Sequence, residues 1–231
     1  MSRWIINRYC FLDFWLFDDE KIETFGGNLL LNGENGSGKS VTLQSFIPVI
    51  LDGNTHSNRL STEGDTSRKI DYYLLYGDKE DVISYIYAEF KKENTYVTYG
   101  IGFKMKKNQG SPTKWYFKIE DKRVEGNFNL YNKSKEPYTL QDLKKVKDSI
   151  FEGKLTIFET QDEYKKDVNN VLFGFNTIEE YEETLRLILE LRKPSVKDGN
   201  GFDPQFIFDI LNNSLQVLSE ERLKNMSDSF E

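Results

Sequence analysis

The chain has 231 residues, of which 38% are hydrophobic, enough for one large domain or two small ones. Its formal net charge of -7 argues against a broadly basic surface for nucleic acids, although lysine runs could still form a local patch. A single cysteine and a single histidine exclude an internal disulfide and a thiolate metal cluster, and they are typical of a cytoplasmic protein. No apolar stretch approaches the ~20 residues of a membrane span, so no membrane partner is expected.

The first part of the chain predicts short strands before a glycine-rich loop. Apolar and aromatic runs predict strands at 4–6, 11–17 and 28–32. After the loop, apolar residues at helical spacing predict an amphipathic helix: Leu43, Phe46, Ile47, Ile50 and Leu51. Pro48 lies within that pattern, so the helix should kink or end early.

The middle of the chain predicts an antiparallel meander. Residues 54–70 are polar and predict a surface loop. Runs rich in aromatic and β-branched residues predict strands at 81–90, 95–103 and 114–119, and another strand is predicted at 127–131. The polar residues 107–113 form the turn between two of these strands.

Two capping boxes mark helix starts in the next part of the chain. A short apolar strand is predicted at 155–158, just before the first box. Thr160 and Glu163 form that box, and Thr177 and Glu180 form the second. Helices should therefore begin at both places.

The C-terminal part also predicts helices. Apolar residues within 181–192 keep helical spacing, and Pro194 should end that helix. The Asp-Pro pair at 203–204 is typical of a helix start, and an apolar stripe follows at 206–215. Ser219 is positioned to cap one more helix. The predicted organisation is therefore β-rich first and α-rich afterwards.

One motif, in the loop before the amphipathic helix, carries chemistry. The sequence GENGSGKS that begins at Gly33 matches G-x-x-x-x-G-K-[ST] in full. Phosphate oxygens must approach the backbone closely, so side chains would obstruct at Gly33, Gly36 and Gly38. Lys39 is expected to reach the β- and γ-phosphates of a nucleoside triphosphate, and Ser40 to supply a hydroxyl ligand to Mg²⁺. The motif therefore predicts binding of ATP with Mg²⁺.

A complete ATPase site also needs a second carboxylate for Mg²⁺ and a residue that positions the attacking water. Such a carboxylate usually follows four apolar residues. Glu159 ends the run 155–159 and Asp209 ends the run 206–209, but both runs are interpreted as ordinary core. Residues 218–222 lack the glycines of an ABC signature, so that assignment is rejected. The chain is therefore interpreted as half of an ATPase site.

This half-site layout resembles the N-terminal head lobe of SMC and ABC-type DNA-repair ATPases, and residues 29–45 carry that similarity. Within that group, the sequence is similar to the JetC family, the SMC-like ATPase subunits of Wadjet plasmid-defence systems. The phrases that carry this similarity span nearly the whole chain: 2–4, 11–20, 35–53, 71–75, 171–175 and 189–194. Glu34 and Val41 depart from generic chromosomal SMC proteins, in which proline and asparagine are commoner at these positions.

The resemblance implies an α/β fold, the P-loop NTPase of SMC/ABC-ATPase head type. It implies a mixed sheet with an antiparallel β-rich lobe, followed by helices that lead to a coiled coil. Residues 1–231 would form one N-terminal head lobe. Its parts would be a P-loop core at 1–53, a β-rich lobe at 54–135 and a helical part at 136–231.

The resemblance also implies site residues beyond the motif. Asn35, Ser37 and Val41 are implied to contact the nucleotide together with the motif residues. Gln161 follows a predicted strand, where such heads place a glutamine that binds Mg²⁺ and senses nucleotide. It therefore joins Lys39 as a candidate catalytic residue. The alternative interpretation of Gln161 is a solvated residue in the first turn of a helix.

Two further positions are implied with open alternatives. Arg59 lies twenty residues after Lys39, where SMC heads carry an arginine that contacts nucleotide. The alternative interpretation of Arg59 is a surface arginine in a loop. Asn7 and Arg8 are implied to flank the nucleotide base or its phosphates, as residues of the first strands do in such heads.

The complete protein would be an ATPase whose C-terminal head lobe supplies the Walker B and signature motifs. Other implied partners are a second SMC-like head in a homodimer, kleisin-type and winged-helix-type subunits, and a topoisomerase-like nuclease subunit. DNA would be clamped or extruded by the assembled complex, with Lys104, Lys106 and Lys107 as the first candidate contact on this chain. Two alternatives are open: a DNA-repair ATPase head of the SbcC or RecN kind, and a nucleotide-gated interaction module without turnover.

Overall fold

The computed structural model describes residues 3–191, except for 36, 61–68, 125 and 127. The chain folds into two compact units, Met1–Asn176 and Thr177–Glu231. The helices and the helix end that the sequence predicts beyond residue 191 lie outside the described residues.

Six strands form one sheet in the first unit. They are Ile5–Phe14 (β1), Phe17–Glu23 (β2), Asp81–Lys92 (β3), Thr95–Lys106 (β4), Thr113–Glu120 (β5) and Leu155–Phe158 (β6). Their order across the sheet is β2-β1-β3-β4-β5-β6, and every pairing within the described residues is antiparallel. The predicted meander is confirmed as β3, β4 and β5, and the predicted strand at 155–158 is confirmed as β6. The mixed sheet and the coiled coil of the implied fold stay predictions.

The first hairpin turns where the sequence predicts a continuing strand. The apolar run 11–17 is divided between β1 and β2, and Phe14 pairs with Phe17 across the turn. Trp15 stands in this turn with a φ of 53°, a left-handed conformation that is uncommon for a bulky residue. The only turn-forming residue in the run is Asp13, which has a φ of 47°, and a single aspartate among apolar residues does not outweigh the pattern of a continuing strand.

The strand predicted at 28–32 is wrong. Only an isolated bridge joins Phe25 to Asn28, and residues 29–32 are not in a strand. Leu30 is 91% exposed and Phe25 is 81% exposed. A strand needs the backbone of a neighbouring strand for its hydrogen bonds, and no described residue pairs with 29–32.

The strand predicted at 127–131 is also wrong for the described residues of that range, since only an isolated bridge forms there, between Tyr131 and Pro137. The chain covers one face of the sheet at this place without extending the sheet. Val124, Phe128 and Leu130 are buried against that face.

The single cysteine lies near the middle of the sheet. Cys10 is fully buried on β1, opposite Lys21 of β2 and Tyr87 of β3. Burial raises the pKa of the Cys10 thiol well above its usual range. The folded chain therefore keeps this thiol protonated and enclosed.

The described residues form seven α-helices, six in the first unit and one, the last, in the second. They are Lys39–Ser45 (α1), Ile47–Ile50 (α2), Ser57–Leu60 (α3), Ile70–Leu74 (α4), Leu140–Val146 (α5), Gln161–Val168 (α6) and Ile178–Leu191 (α7). A π-helical turn, Asn169–Phe173, continues α6. None of the described helices has both the length and the apolar character needed to cross a membrane.

Helix starts and breaks follow local chemistry. The break between α1 and α2 lies two residues before Pro48, so the predicted early end is confirmed. The predicted capping box of Thr160 and Glu163 is complete at the start of α6. At the start of α7, the Glu180 backbone N–H donates to the Thr177 hydroxyl at 3.2 Å. Both predicted helix starts are therefore confirmed.

The region 54–70 is more ordered than predicted. Residues 57–60 form α3, and Leu60 is buried in the core. Burial of this leucine outweighs the polar composition around it. The prediction of a surface loop is therefore wrong for 57–60, and residues 61–68 lie outside the described part.

The two faces of the sheet carry separate cores. One face packs Phe46 and Tyr164 among its buried residues, so the helices beside the loop 33–40 lie on this face. The other face packs Trp115 and Phe151. The candidate loop is thus attached to one side of the sheet only.

Two glycines on β4 make room for aromatic rings. Gly100 pairs with Phe117 and Gly102 pairs with Trp115 across to β5. A Cβ built on Gly100 would lie 2.3 Å from Phe117 Cζ, and one on Gly102 would lie 2.2 Å from Trp115 Cε2. Real Cβ atoms do not come so close to another atom. Each ring therefore occupies the space that a side chain would need at its glycine.

Adding a methyl group under a ring should therefore destabilise the fold. We expect Gly102→Ala to lower the free energy of unfolding by about 1–3 kcal/mol, because the Trp115 ring must leave its packed position. Urea unfolding followed by circular dichroism measures this. The control is Gly110→Ala in the β4–β5 turn, where a Cβ meets nothing within 4 Å. Equal stability of the two variants would contradict the packing argument.

Candidate nucleotide-binding site

The loop 33–40 is folded by its own hydrogen bonds. The Gly33 N–H donates to the Asn32 side-chain oxygen at 2.9 Å, and the Ser37 N–H donates to the Glu34 carbonyl at 3.2 Å. These bonds turn the chain sharply between residue 32 and the start of α1. Gly36 lies outside the described residues.

The Lys39 side chain lies back across this loop. Its ammonium group donates to the carbonyl oxygens of Gly33 at 2.6 Å and Glu34 at 2.7 Å. It also lies 3.4 Å from the Ser37 hydroxyl oxygen. A positive charge is therefore held over the loop backbone.

Gly38 is required for a reason that the motif alone does not give. Its φ of 87° is left-handed, and a Cβ there would lie 2.5 Å from Cη2 of Trp15. Its carbonyl accepts both the backbone N–H of Thr42 at 2.9 Å and the Thr42 hydroxyl at 3.0 Å. Gly38 thus joins the loop to the first turn of α1.

The remaining loop residues differ in exposure. Ser40 is exposed in the first turn of α1, and its hydroxyl makes no hydrogen bond to other described residues. Asn35 and Ser37 are exposed in the loop, whereas Val41 packs against the core. Ser40 is therefore available as a metal ligand, while Val41 contributes packing.

Arg59 is held by a buried carboxylate that the sequence analysis did not single out. Its guanidinium donates twice to Asp52 Oδ2, from Nη2 at 2.9 Å and from Nε at 3.2 Å. Asp52 is 4% exposed and accepts the Asn54 N–H at 3.0 Å. Since α3, which carries Arg59, contacts α1, this ion pair supports the helix behind the loop.

Gln161 is the first residue of α6, directly after β6, as predicted. Its side chain is half-buried and makes no hydrogen bond among the described residues. One turn later, the Tyr164 hydroxyl donates to the Val49 carbonyl of α2 at 2.5 Å. This bond connects the helix of Gln161 to the helices that follow the loop. It leaves open both interpretations of Gln161.

The first strand uses its polar residues within the sheet. Asn7 Nδ2 donates to Glu89 at 2.5 Å, and the buried Arg8 forms an ion pair with Glu23 at 3.0 Å. Glu89 is fully buried and also accepts the Val124 N–H at 2.7 Å, so these two hydrogen bonds offset the cost of burying its carboxylate. Both contacts are made to neighbouring strands, Glu89 of β3 and Glu23 of β2.

Of the two candidate second carboxylates, only Glu159 lies within the described residues. Glu159 is exposed after β6, where its N–H donates to the Glu163 carboxylate at 3.0 Å. Asp209 and the segment 218–222 lie outside the described residues. The interpretation of the chain as half of a site therefore stays a prediction.

The candidate DNA contact is partly neutralised. Lys106 pairs with Asp81 at 3.5 Å, and Lys107 pairs with Glu80 at 3.9 Å. Lys104 lines a cleft of about 620 Å³, and the other charged residues of this cleft are four carboxylates and one more lysine. This surface is therefore mixed in charge.

The residues that could hold a phosphate group are Gly38, Lys39 and Ser40, consecutive at the start of α1. They combine a backbone free of a side chain, a cation over the loop and an exposed hydroxyl. The sequence matches no protein-family model, and no curated protein matches it.

Proposed function

We propose that this chain binds the phosphates of ATP with Mg²⁺ at the loop 33–40. The observation that supports this is the Lys39 ammonium, held on the carbonyls of Gly33 and Glu34. A lysine on a surface helix commonly keeps its ammonium in water, whereas this ammonium is held on the backbone of the turn that precedes its helix. The Gly38 conformation and the exposed Ser40 hydroxyl fit the same ligand.

Each residue has a definite task in this proposal. Lys39 exchanges neutral loop carbonyls for anionic phosphate oxygens, because an ammonium is attracted more strongly by a full negative charge than by a carbonyl dipole. Gly38 lets the backbone come close to the phosphate, and Ser40 offers a ligand to the cation. The nucleotide, when bound, supplies the phosphoanhydride bond whose cleavage drives work.

We further propose that the chain is the N-terminal half of an SMC-like ATPase head of the JetC kind, acting in the cytoplasm. A C-terminal head lobe would supply the Walker B carboxylate and the signature. The exposed Leu30 and Phe25, next to a segment with no strand partner among the described residues, support a missing neighbour. In the full complex, two heads would close on ATP and act on plasmid DNA with the other subunits.

The number of phosphates tests the nucleotide proposal. In this proposal Lys39 contacts the β- and γ-phosphates, which AMP lacks. ATP should therefore bind about a hundredfold tighter than AMP, equivalent to about 2.7 kcal/mol. Calorimetric titration of the 231-residue chain with ATP, ADP, AMP and adenosine in the presence of Mg²⁺ measures this. Equal affinity for ATP and adenosine, or no binding of either, would contradict the proposal.

A further inference from the structure

Trp15, which belongs to no nucleotide-binding motif, lies directly against the candidate loop. A Cβ built on Gly38 would lie 2.5 Å from Cη2 and 2.7 Å from Cζ3 of its indole ring. The far edge of the ring therefore fills the space beside the glycine that precedes Lys39.

The indole is fixed independently of the loop. The Trp15 backbone N–H donates to the Tyr73 carbonyl of α4 at 3.2 Å. Its ring makes edge contacts with Phe17, Tyr73 and Tyr76, with ring centroids 5.9, 6.3 and 6.0 Å away. Because its left-handed backbone is set by the β1–β2 turn, the ring belongs to the sheet and α4, and the loop lies against it.

We propose that Trp15 is a positioning residue for phosphate binding, a role that rests on the proposed function. Its ring edge prevents Gly38 from moving toward the sheet, and so fixes where α1 begins. Lys39 is the next residue, and its ammonium must meet two loop carbonyls six and five residues earlier. Loss of the ring would leave this geometry loose, and loosely held sites bind weakly.

The indole N–H contributes nothing to this role. Trp15 Nε1 is buried and has no hydrogen-bond partner among the described residues. The ring therefore acts by its shape, and a phenyl ring should retain part of the effect. This separates a positioning role by packing from one that depends on a polar contact.

Trp115 provides a matched control. Its ring is buried over Gly102 much as the Trp15 ring is placed over Gly38, but on the opposite face of the sheet. Truncating either tryptophan should destabilise the fold, since both are core residues. Only truncation of Trp15 should change the affinity of the folded chain for nucleotide.

The experiment measures the affinity of the 231-residue chain for ATP with Mg²⁺ by calorimetry, on protein shown by circular dichroism to be folded. We expect Trp15→Ala to weaken binding by about tenfold and Trp15→Phe by about threefold, with Trp115→Phe unchanged. If Trp15→Ala does not fold, the comparison of Trp15→Phe with Trp115→Phe decides.

The outcomes separate this inference from the function that it rests on. Wild-type affinity in the folded Trp15 variants, while Lys39→Ala loses binding, would overturn the Trp15 role alone. An equal loss of affinity in Trp115→Phe would also overturn it, because the effect would then come from general loosening of the core. Failure of the wild-type chain to bind ATP would overturn both proposals.

Discussion

Replacement of Lys39 by alanine should lower the affinity for ATP with Mg²⁺ by about a hundredfold, because a charge-assisted contact to two phosphates is lost. AMP should bind equally weakly to both forms, since it lacks the phosphates that the ammonium contacts. The fold should survive, as the lysine contacts only its own loop through hydrogen bonds. Calorimetric titration together with a thermal melt measures both effects.

A matched control for this substitution is Lys154→Ala. Lys154 is exposed and, like Lys39, has a partner for its ammonium, here Asp121 at 2.9 Å, but it takes no part in the loop. Its removal should leave ATP affinity unchanged. If Lys39→Ala binds ATP as tightly as the control, the assignment of the phosphate site is wrong.

The second large effect concerns turnover. The 231-residue chain should bind ATP but hydrolyse it at a negligible rate, because no residue assigned to the site supplies the second carboxylate. Addition of the C-terminal lobe should raise the rate by at least about a thousandfold, the scale at which transition-state charge is stabilised by added groups. Phosphate release under saturating ATP measures this.

The same assay discriminates between the functional alternatives. Rapid hydrolysis by the isolated chain, abolished by Lys39→Ala, would show that the carboxylate is within these 231 residues. Binding without turnover, even in the presence of the C-terminal lobe, would favour a nucleotide-gated interaction module. A neighbouring gene for a nuclease partner alone would favour the SbcC or RecN kind, whereas three neighbouring genes for kleisin, winged-helix and topoisomerase-like subunits would favour plasmid defence.

The sequence predicts those parts of the fold that depend on local chemistry. The meander follows from alternating aromatic and β-branched residues, and the start of α6 follows from Thr160 and Glu163. The helix α5 was accessible by the same reasoning, because Thr139 and Asp142 form a capping box with aspartate in place of glutamate. Such signals depend on neighbours in sequence, so they survive without knowledge of the fold.

The remaining features depend on contacts between distant residues. Nothing in the sequence around Trp15 indicates that its ring meets Gly38, since the contact is made only after the hairpin, the loop and α4 come together. The ion pair of Arg59 with the buried Asp52 is equally hidden, because Asp52 reads as part of a turn. The motif thus predicts where the loop lies and what it binds, whereas the residues that support the loop are seen only in the three-dimensional structure.

The enclosed thiol of Cys10 has a practical consequence for labelling. Thiol reagents must reach the sulfur and react with its thiolate form. In the folded sheet Cys10 is fully buried and its pKa is raised, so neither condition is met. A cysteine introduced at the exposed Leu16, beside Trp15, would be the sole attachment point for a fluorophore, with no native residue to remove. Modification of Cys10 itself requires β1 to separate from its neighbouring strands. The rate at which Cys10 is modified therefore reports how often the sheet opens.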